Sequence, residues 1–383
     1  MIPPPLALYV HVPWCIRKCP YCDFNSHVRP SALPESAYID ALLADLRTDL
    51  QRVEGRTLSS IFIGGGTPSL LSATAIGRLL QGVRDEIDCE PGLEVTLEAN
   101  PGAVELGDLA GYLRAGVNRL SLGVQSFHDD SLRALGRIHN AREASAAVGL
   151  ARQAGFSRIN LDLMFGLPGQ NLTMARGDLQ TALELEVEHL SYYQLTLEPN
   201  TAFHHAPPPL PDEDRIWEIQ EQGHDLLHQA GYRQYEISAF SRTGAECRHN
   251  LNYWRFGDYL GIGAGAHAKL SHRDGRIERI WKLRHPEAYL GAAKGVYRQG
   301  GRELTSQDLL LEFFMNALRL TQGVERSLFG ARTGLQEQAI QNPVSEAISK
   351  GLLESHPERL CATPLGQRFL NDLLMIFEVN EFS

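Results

Sequence analysis

Short apolar runs alternate with longer amphipathic stretches over residues 6–198 of the chain. The apolar runs have the length and the bounding turns of buried strands, and they cover residues 6–12, 59–63, 93–97, 118–123, 158–164 and 189–197. Between them, apolar residues recur at helical spacing over residues 35–53, 73–87, 104–115 and 172–185 and on both sides of His139. The alternation predicts an α/β fold of about six βα units, arranged as a barrel or a partial barrel.

A proline-rich segment at residues 199–211 ends this alternation. Because proline fixes the backbone and disfavours helix, we interpret the segment as a rigid connector without helix. His204 and His205, which lie within it, are interpreted as a solvated pair. Residues 212–230 then have a helical pattern and residues 235–239 an extended one.

A small C-terminal domain is predicted from about residue 303. Helical patterns return at residues 309–320 and 344–350, and residues 351–355 could pair with residues 359–364 as a short wing. The chain therefore divides into three parts. Residues 1–198 form the barrel, residues 199–302 complete its side, and residues 303–383 form a mainly helical, winged-helix-like domain.

Composition places the chain among globular proteins. It has 383 residues, of which 43% are hydrophobic and 21% charged. A net charge of −10 argues against a nucleic-acid partner. No apolar run approaches the ~20 residues that a transmembrane helix needs, and residues 1–5 lack the features of a signal peptide. The six cysteines do not form a secreted disulfide pattern, so we expect a cytoplasmic protein; peripheral membrane contact is compatible with this composition.

Three cysteines follow the first predicted strand with the spacing C-x3-C-x2-C: Cys15, Cys19 and Cys22. An iron–sulfur cube normally takes four cysteine ligands, so three would leave one iron open to a chelating ligand. The alternative is a structural zinc site with His11 or His27 as the fourth ligand. Zinc sites usually pair two C-x2-C halves, and the sequence has no second half. The spacing therefore favours a cluster.

Polar and glycine residues lie where the predicted strands end, the edge at which parallel α/β folds bind ligands. The sequence Gly-Gly-Gly-Thr-Pro at residues 64–68 is either a tight turn or a place where backbone amides approach a ligand. Glu98, Gln125, Arg137 and Asp162 occupy similar positions. Asp162 interrupts an apolar strand, so it either serves a ligand or pairs internally, for example with Arg137.

The cysteine spacing resembles the radical S-adenosylmethionine (SAM) superfamily. Further motifs together resemble the oxygen-independent coproporphyrinogen III oxidase family over about residues 6–290: YVHVPWC, GGGTPS, EANPG, GVQSF and DLMFGLP. The resemblance implies a partial (β/α)6 TIM-type barrel with a [4Fe-4S] cluster on Cys15, Cys19 and Cys22. It implies that Tyr9 and Glu98 contact the cluster-bound SAM. It also implies that the following positions line adenosine or a second SAM site: Tyr21, Gly65, Gly66, Thr67, Gln125, Arg137, Asp162 and Thr196.

Two departures point to one branch of this family. Phe24 stands where dehydrogenases of the family have a fourth cysteine, and only 14 residues precede Cys15. Both features match the HemW branch, whose members act as heme chaperones. The motif at residues 247–254, Cys-Arg-His-Asn-Leu-Asn-Tyr-Trp, matches that branch too.

The same motif contains candidate heme ligands. A histidine beside aromatic residues suits an axial iron ligand against a flat macrocycle, which indicates His249 with Tyr253 and Trp254. Cys247 is an alternative soft ligand. The simpler interpretation is that these residues only pack a loop.

The sequence thus predicts a chaperone that binds a [4Fe-4S] cluster, SAM and heme and passes heme to acceptor hemoproteins. Two alternatives stay open. One is an anaerobic coproporphyrinogen III dehydrogenase, which decarboxylates propionates by radical chemistry, and the other is a zinc-binding adaptor. Whether SAM is cleaved or only bound, and hence whether the protein is an enzyme, is undecided at this stage.

Overall fold

The computed structural model describes residues 3–53, 55–104, 107–292 and 295–378. Its strands are β1 Leu6–Val12, β2 Trp14–Cys15, β3 His27–Val28, β4 Leu58–Gly65, β5 Cys89–Ala99, β6 Arg119–Gln125, β7 Ile159–Phe165, β8 His189–Gln194, β9 Arg233–Glu236, β10 Ala239–Ser241, β11 Asp258–Ile262, β12 His267–Ser271, β13 Ile277–Lys282, β14 Arg298–Glu303, β15 Val324–Glu325 and β16 Arg359–Leu360.

The helices alternate with these strands in the first half of the chain and dominate its last part. They are α1 Glu35–Leu50, α2 Ala73–Glu86, α3 Pro101–Val104, α4 Leu109–Ala115, α5 Asp129–Ala134, α6 Ala141–Gln153, α7 Leu172–Glu184, α8 Ala202–His205, α9 Glu213–Gln229, α10 Arg248–Trp254, α11 Pro286–Leu290, α12 Ser306–Ala317, α13 Ser327–Thr333, α14 Gln338–Ser349, α15 Pro364–Arg368 and α16 Leu370–Glu378.

Six parallel strands form the centre of one large sheet. In the described part of the chain the sheet has twelve strands, in the order β14-β13-β12-β11-β1-β4-β5-β6-β7-β8-β10-β9. Strands β1, β4, β5, β6, β7 and β8 are parallel neighbours. These are the six strands that the apolar runs predict, so the expected α/β architecture is confirmed.

The helices between these strands form because each has an apolar face and a capped start. In α2, Ser72 accepts a hydrogen bond from the amide of Ala75 at 3.2 Å, which satisfies one of the free donors at the helix N-terminus. Its buried residues recur at helical spacing: Ala75, Ile76, Leu79, Leu80 and Val83. The helix predicted at 104–115 is observed as α3 and α4, and residues 105 and 106 lie outside the described residues.

Residues 199–302 add strands to both edges of the same sheet. Antiparallel β10 and β9 follow β8, whereas β11 lies parallel to β1 and begins an antiparallel series through β14. The expectation of no helix in the proline segment is wrong, since α8 lies within it. Its prolines flank this helix, and Thr201 caps it by accepting from the amide of His204 at 3.2 Å. His204 and His205 are exposed, as predicted.

The last part of the chain forms most of a second hydrophobic core, around Phe313, Phe314 and Phe377, to which Phe256 and Ile277 of the preceding part also belong. Helices α12–α16 surround this core, and β15 pairs with β16. The predicted wing is present as a single antiparallel bridge between Leu353 and Ala362. Helix α14 begins six residues before the helix predicted at residue 344 and contains Pro343, which hid the pattern.

Within the ranges that the structure describes, no helix is both long enough and apolar enough to cross a membrane.

Candidate functional site

Two cavities open among the inner faces and the C-terminal ends of the parallel strands. The large cavity has a volume of about 1060 Å³, and the cysteine cavity, which the three cysteines line, has about 550 Å³. Residues that line both are Phe24, Gly65, Glu98, Ser121, Asp162 and Ser191. Because side chains alternate along a strand, polar residues at every second position of β5–β8 share the inner face.

The cysteine cavity brings together nearly all residues that the sequence assigns to the cluster and SAM. It is lined by Cys15, Cys19, Cys22, Tyr21, Gly65, Gly66, Thr67, Glu98, Gln125, Arg137, Asp162 and Thr196. Tyr9 is the exception, since it lines the large cavity and bonds to Nδ1 of His11 at 2.9 Å. Strand ends distant in sequence therefore form one site.

The cysteines have the properties of an iron–sulfur ligand set. All three are free and half-buried. Burial raises the pKa of the Cys15 and Cys22 thiols, which by itself disfavours their thiolate form. The guanidinium of Arg137 donates toward Sγ of Cys19 at 3.6 Å and to the carbonyl of Gly123 at 2.6 Å. A cation beside a thiolate stabilises its charge, so these residues fit a negatively charged cluster.

The glycine turn packs against the cysteine loop. A Cβ on Gly66 would lie 2.5 Å from the carbonyl oxygen of Trp14. The amides of Gly66 and Thr67 donate to Val12 and Trp14, each at 2.7 Å, and the amide of Gly65 donates to Glu98 at 3.1 Å. These three amides are therefore already engaged within the chain, and the assignment of the glycine turn to SAM stays a prediction. The glycines permit close approach of two backbones.

Glu98 and Asp162 lie side by side between the two cavities. Burial, reinforced by the charge of Asp162, raises the pKa of Glu98 to about 8. Asp162 accepts hydrogen bonds from Asn160 at 2.8 Å and Ser121 at 3.3 Å. It does not pair with Arg137, so the internal ion pair considered from the sequence is not formed. Glu98 is thus protonated near neutral pH and can donate a hydrogen bond.

His249 is held rigidly in the wall of the large cavity. Its Nδ1 bonds to the hydroxyl of Ser60 at 3.0 Å, its ring stacks on Phe62 with centroids 5.1 Å apart, and Tyr253 packs edge-on at 5.0 Å. Nε2 is buried and has no hydrogen-bond partner in the described structure. Burial, together with the charge of Arg119, lowers the pKa of His249 to about 3, so the imidazole is neutral and can ligate iron.

The other candidate heme residues divide into two groups. Tyr253 and Trp254 line the large cavity with His249. Cys247 does not line it: the residue is fully buried, and its Sγ lies 3.7 Å from a carboxylate oxygen of Glu94. Burial raises the pKa of Cys247 to about 11. The alternative of a cysteine ligand is therefore not supported by its position.

His11 is not available as a fourth ligand of a zinc site. Its Nδ1 is bonded to the hydroxyl of Tyr9 at 2.9 Å, and its Nε2 to the carbonyl of Asn25 at 2.9 Å. Both ring nitrogens are therefore engaged in hydrogen bonds away from the cysteines. This arrangement removes His11 as a fourth zinc ligand and leaves His27, whose Nε2 has no hydrogen-bond partner in the described structure, as the remaining zinc alternative.

Several residues at the large cavity were not predicted from the sequence. Ser60 positions His249, and the cavity is also lined by Arg119, Asn160, His189, Trp281 and Arg284. Four of these six are polar residues on the inner face of otherwise apolar parallel strands. Period-two placement of polar residues in β4, β6, β7 and β8 is the signal that could have found them.

The fold and the cysteine loop define the class: a partial parallel barrel with three free cysteines after its first strand is a radical SAM protein. The radical SAM superfamily model matches residues 9–182, and the HemN C-terminal domain model matches residues 304–369. The solved coproporphyrinogen III oxidase (HemN) of Escherichia coli has the same fold, with a TM-score of 0.81 at 23% identity, and the match covers 98% of this chain and 91% of that one. Superfamily membership implies a [4Fe-4S] cluster and SAM.

The chain belongs to the family of the heme chaperone HemW. It is 51% identical to heme chaperone HemW of Haemophilus influenzae over 382 residues, which cover 99% of both chains. The HemW proteins of Escherichia coli and Bacillus subtilis are 51% and 34% identical to it, covering 98% and 97% of this chain and 98% of each relative.

Proposed function

We propose that this protein is a heme chaperone that binds heme in the large cavity, with Nε2 of His249 as an axial ligand, and transfers it to acceptor hemoproteins. The observation that carries the proposal is the buried and unpartnered Nε2 of His249 in the wall of a cavity of about 1060 Å³. A buried polar atom without a partner costs free energy. An iron bound at this wall would supply the missing partner.

Aromatic side chains suit this cavity to a flat macrocycle. Tyr9, Phe62, Tyr253 and Tyr259 line it beside His249, and large rings of this kind bury apolar surface efficiently. Because burial keeps His249 unprotonated, its nitrogen lone pair is free for iron across the physiological pH range. The cavity can therefore hold heme without first moving a proton.

We assign the cluster to Cys15, Cys19 and Cys22 and SAM to the residues that line the cysteine cavity. When bound, the cluster supplies an iron with an open position for a chelating ligand. Arg137 balances thiolate charge at Cys19, and protonated Glu98 offers a donor to a bound ligand. Because the two cavities share a wall, occupancy of one can act on the other.

The proposal also includes the cellular compartment of the protein and the division of its chain into domains. We place it in the cytoplasm, where free cysteines stay reduced. Residues 199–302 then serve as an extension that carries the His249 motif, and residues 303–378 as a separate helical domain. The match of the HemN C-terminal domain model to residues 304–369 supports the second boundary.

An anaerobic assay tests the chaperone against its alternatives. Protein with a reconstituted cluster is given reductant and SAM, together with either coproporphyrinogen III or heme and an apo-hemoprotein. We expect heme to appear in the acceptor and coproporphyrinogen III to stay unconverted. Protoporphyrinogen formation would instead establish the dehydrogenase. Zinc without iron or inorganic sulfide in the anaerobically purified protein would establish the adaptor.

A further inference from the structure

Arg119 is a buried cation without a direct partner. It is the first residue of β6, it lines the large cavity, and its exposed fraction is 3%. Among the described residues no acceptor lies within hydrogen-bonding or ion-pairing distance of its guanidinium, although Glu94 and Asp162 act on its charge from further away. Arginine carries five donors and no acceptor. Leaving such a group buried and unpaired is costly, so the position calls for an anionic ligand.

The acidic groups near Arg119 contact other residues, although the Oε2 atom of Glu94 accepts no hydrogen bond in the described structure. Glu94 pairs with Arg158 at 3.0 Å and also accepts from the amide of His249 at 3.2 Å. Asp162 accepts from two neutral side chains, and burial raises its pKa. Neither carboxylate contacts the guanidinium of Arg119, so neither takes the place of an anionic ligand there.

His189 adds no positive charge near Arg119 at neutral pH, because burial lowers the pKa of its imidazole well below the usual value. Arg158, which also acts on His189, is paired with Glu94. Arg119 is therefore an unpaired cation in this part of the cavity.

We propose that Arg119 binds a carboxylate of the cargo, specifically one propionate of heme, while His249 binds the iron. The planar guanidinium matches a carboxylate in a two-point contact. Iron ligation by His249 fixes the centre of the macrocycle, and a carboxylate on Arg119 fixes its rotation. This subsite rests on the proposed function, and it adds a requirement for a free propionate that iron ligation alone does not impose.

The test compares ferric protoporphyrin IX with its dimethyl ester. Each is titrated into the full-length protein and into Arg119→Gln, and binding is followed by Soret absorption. If Arg119 holds a propionate, the substitution and the esterification each weaken binding by about 10- to 100-fold. Their combination weakens it little further, because the same contact is lost in both. Arg119→Lys keeps the positive charge but loses the two-point contact of the planar guanidinium, so we expect it to recover part of the affinity.

Controls separate binding from folding. Arg114, whose side chain is 71% exposed, provides the matched variant Arg114→Gln, which should bind both ligands as the wild type does. Thermal unfolding of each variant shows whether it is folded. The comparison of acid and ester on the wild type needs no substitution, so it stands even if Arg119→Gln does not fold.

Equal affinity of the wild type for acid and ester would overturn the proposal, as would additive losses in Arg119→Gln. In either case, a Soret spectrum that is present in the wild type and lost in His249→Ala would still support heme binding and the proposed chaperone function. Absence of saturable binding by the wild type would reject both.

Discussion

At the scale of residues, the site depends on groups whose protonation is set by burial. Motif spacing indicated the three cysteines, and the family resemblance indicated the residues that we propose for SAM; the structure places nearly all of them in one cavity. Ser60 and Arg119 were not predicted. A single polar residue in a strand has many structural explanations. Only the structure shows that Ser60 contacts His249 and that Arg119 lines the large cavity.

Glu98 should make stability depend on pH. Its pKa is raised from 4.5 to about 8 in the folded protein, so the folded state holds a proton that the unfolded state releases above pH 4.5. Stability from this group is full below that pH and is lost as the pH rises toward 8. We expect Glu98→Gln to remove this slope, a change of about 3 kcal/mol between pH 5 and 8. Urea unfolding of the cluster-free protein at several pH values measures it, and parallel pH profiles for the two proteins would contradict it.

At the scale of elements, apolar periodicity predicted the strands that contribute to the hydrophobic core. It did not predict elements that are held mainly by backbone hydrogen bonds. Strands β1 and β4–β8 each bury apolar residues on at least one face, so their pattern is strong. Strand β14 reads Arg-Gln-Gly-Gly-Arg-Glu and has no apolar residue, yet it pairs with β13 along the sheet edge. Helix α8 was missed because the prolines around it dominate the local pattern.

The contact between the glycine turn and the cysteine loop should be needed for cluster binding. In Gly66→Ala the new Cβ would meet backbone atoms of Trp14 at 2.5 Å, which cannot move without shifting Cys15. We expect several-fold lower iron and sulfide content after reconstitution.

The matched control for this substitution is Gly149→Ala. Gly149 lies in α6 and has open space around it, so alanine there should leave cluster content unchanged and stabilise the helix by up to ~1 kcal/mol. Full cluster content in Gly66→Ala would show that the packing of the turn is not required.

At the scale of the whole molecule, residues 199–302 are joined to the barrel by buried charges. Lys282 in β13 donates to Asp45 at 2.5 Å and to Asp49 at 2.6 Å, both in α1. Since all three side chains are almost fully buried, we expect the parallel barrel and this extension to unfold as one cooperative unit.

Removing this lysine should be costly. Lys282→Ala leaves the buried carboxylate of Asp45 without its cation and leaves Asp49 only the longer pair with Arg52 at 3.6 Å. We expect a loss of about 3–5 kcal/mol. The exposed pair of Lys350 with Glu346 provides the control: Lys350→Ala should cost less than about 1 kcal/mol. Denaturant unfolding compares the two, and equal effects would show that the buried network does not join the two parts.

Ligation of heme iron by His249 is tested most directly by a titration of ferric heme into the wild type and His249→Ala, with exposed His204→Ala as control. We expect saturable binding with a histidine-ligated Soret spectrum in the wild type and in His204→Ala. We expect loss of that spectrum and at least about tenfold weaker binding in His249→Ala. An unchanged spectrum and affinity in His249→Ala would contradict the assignment of heme to this cavity wall.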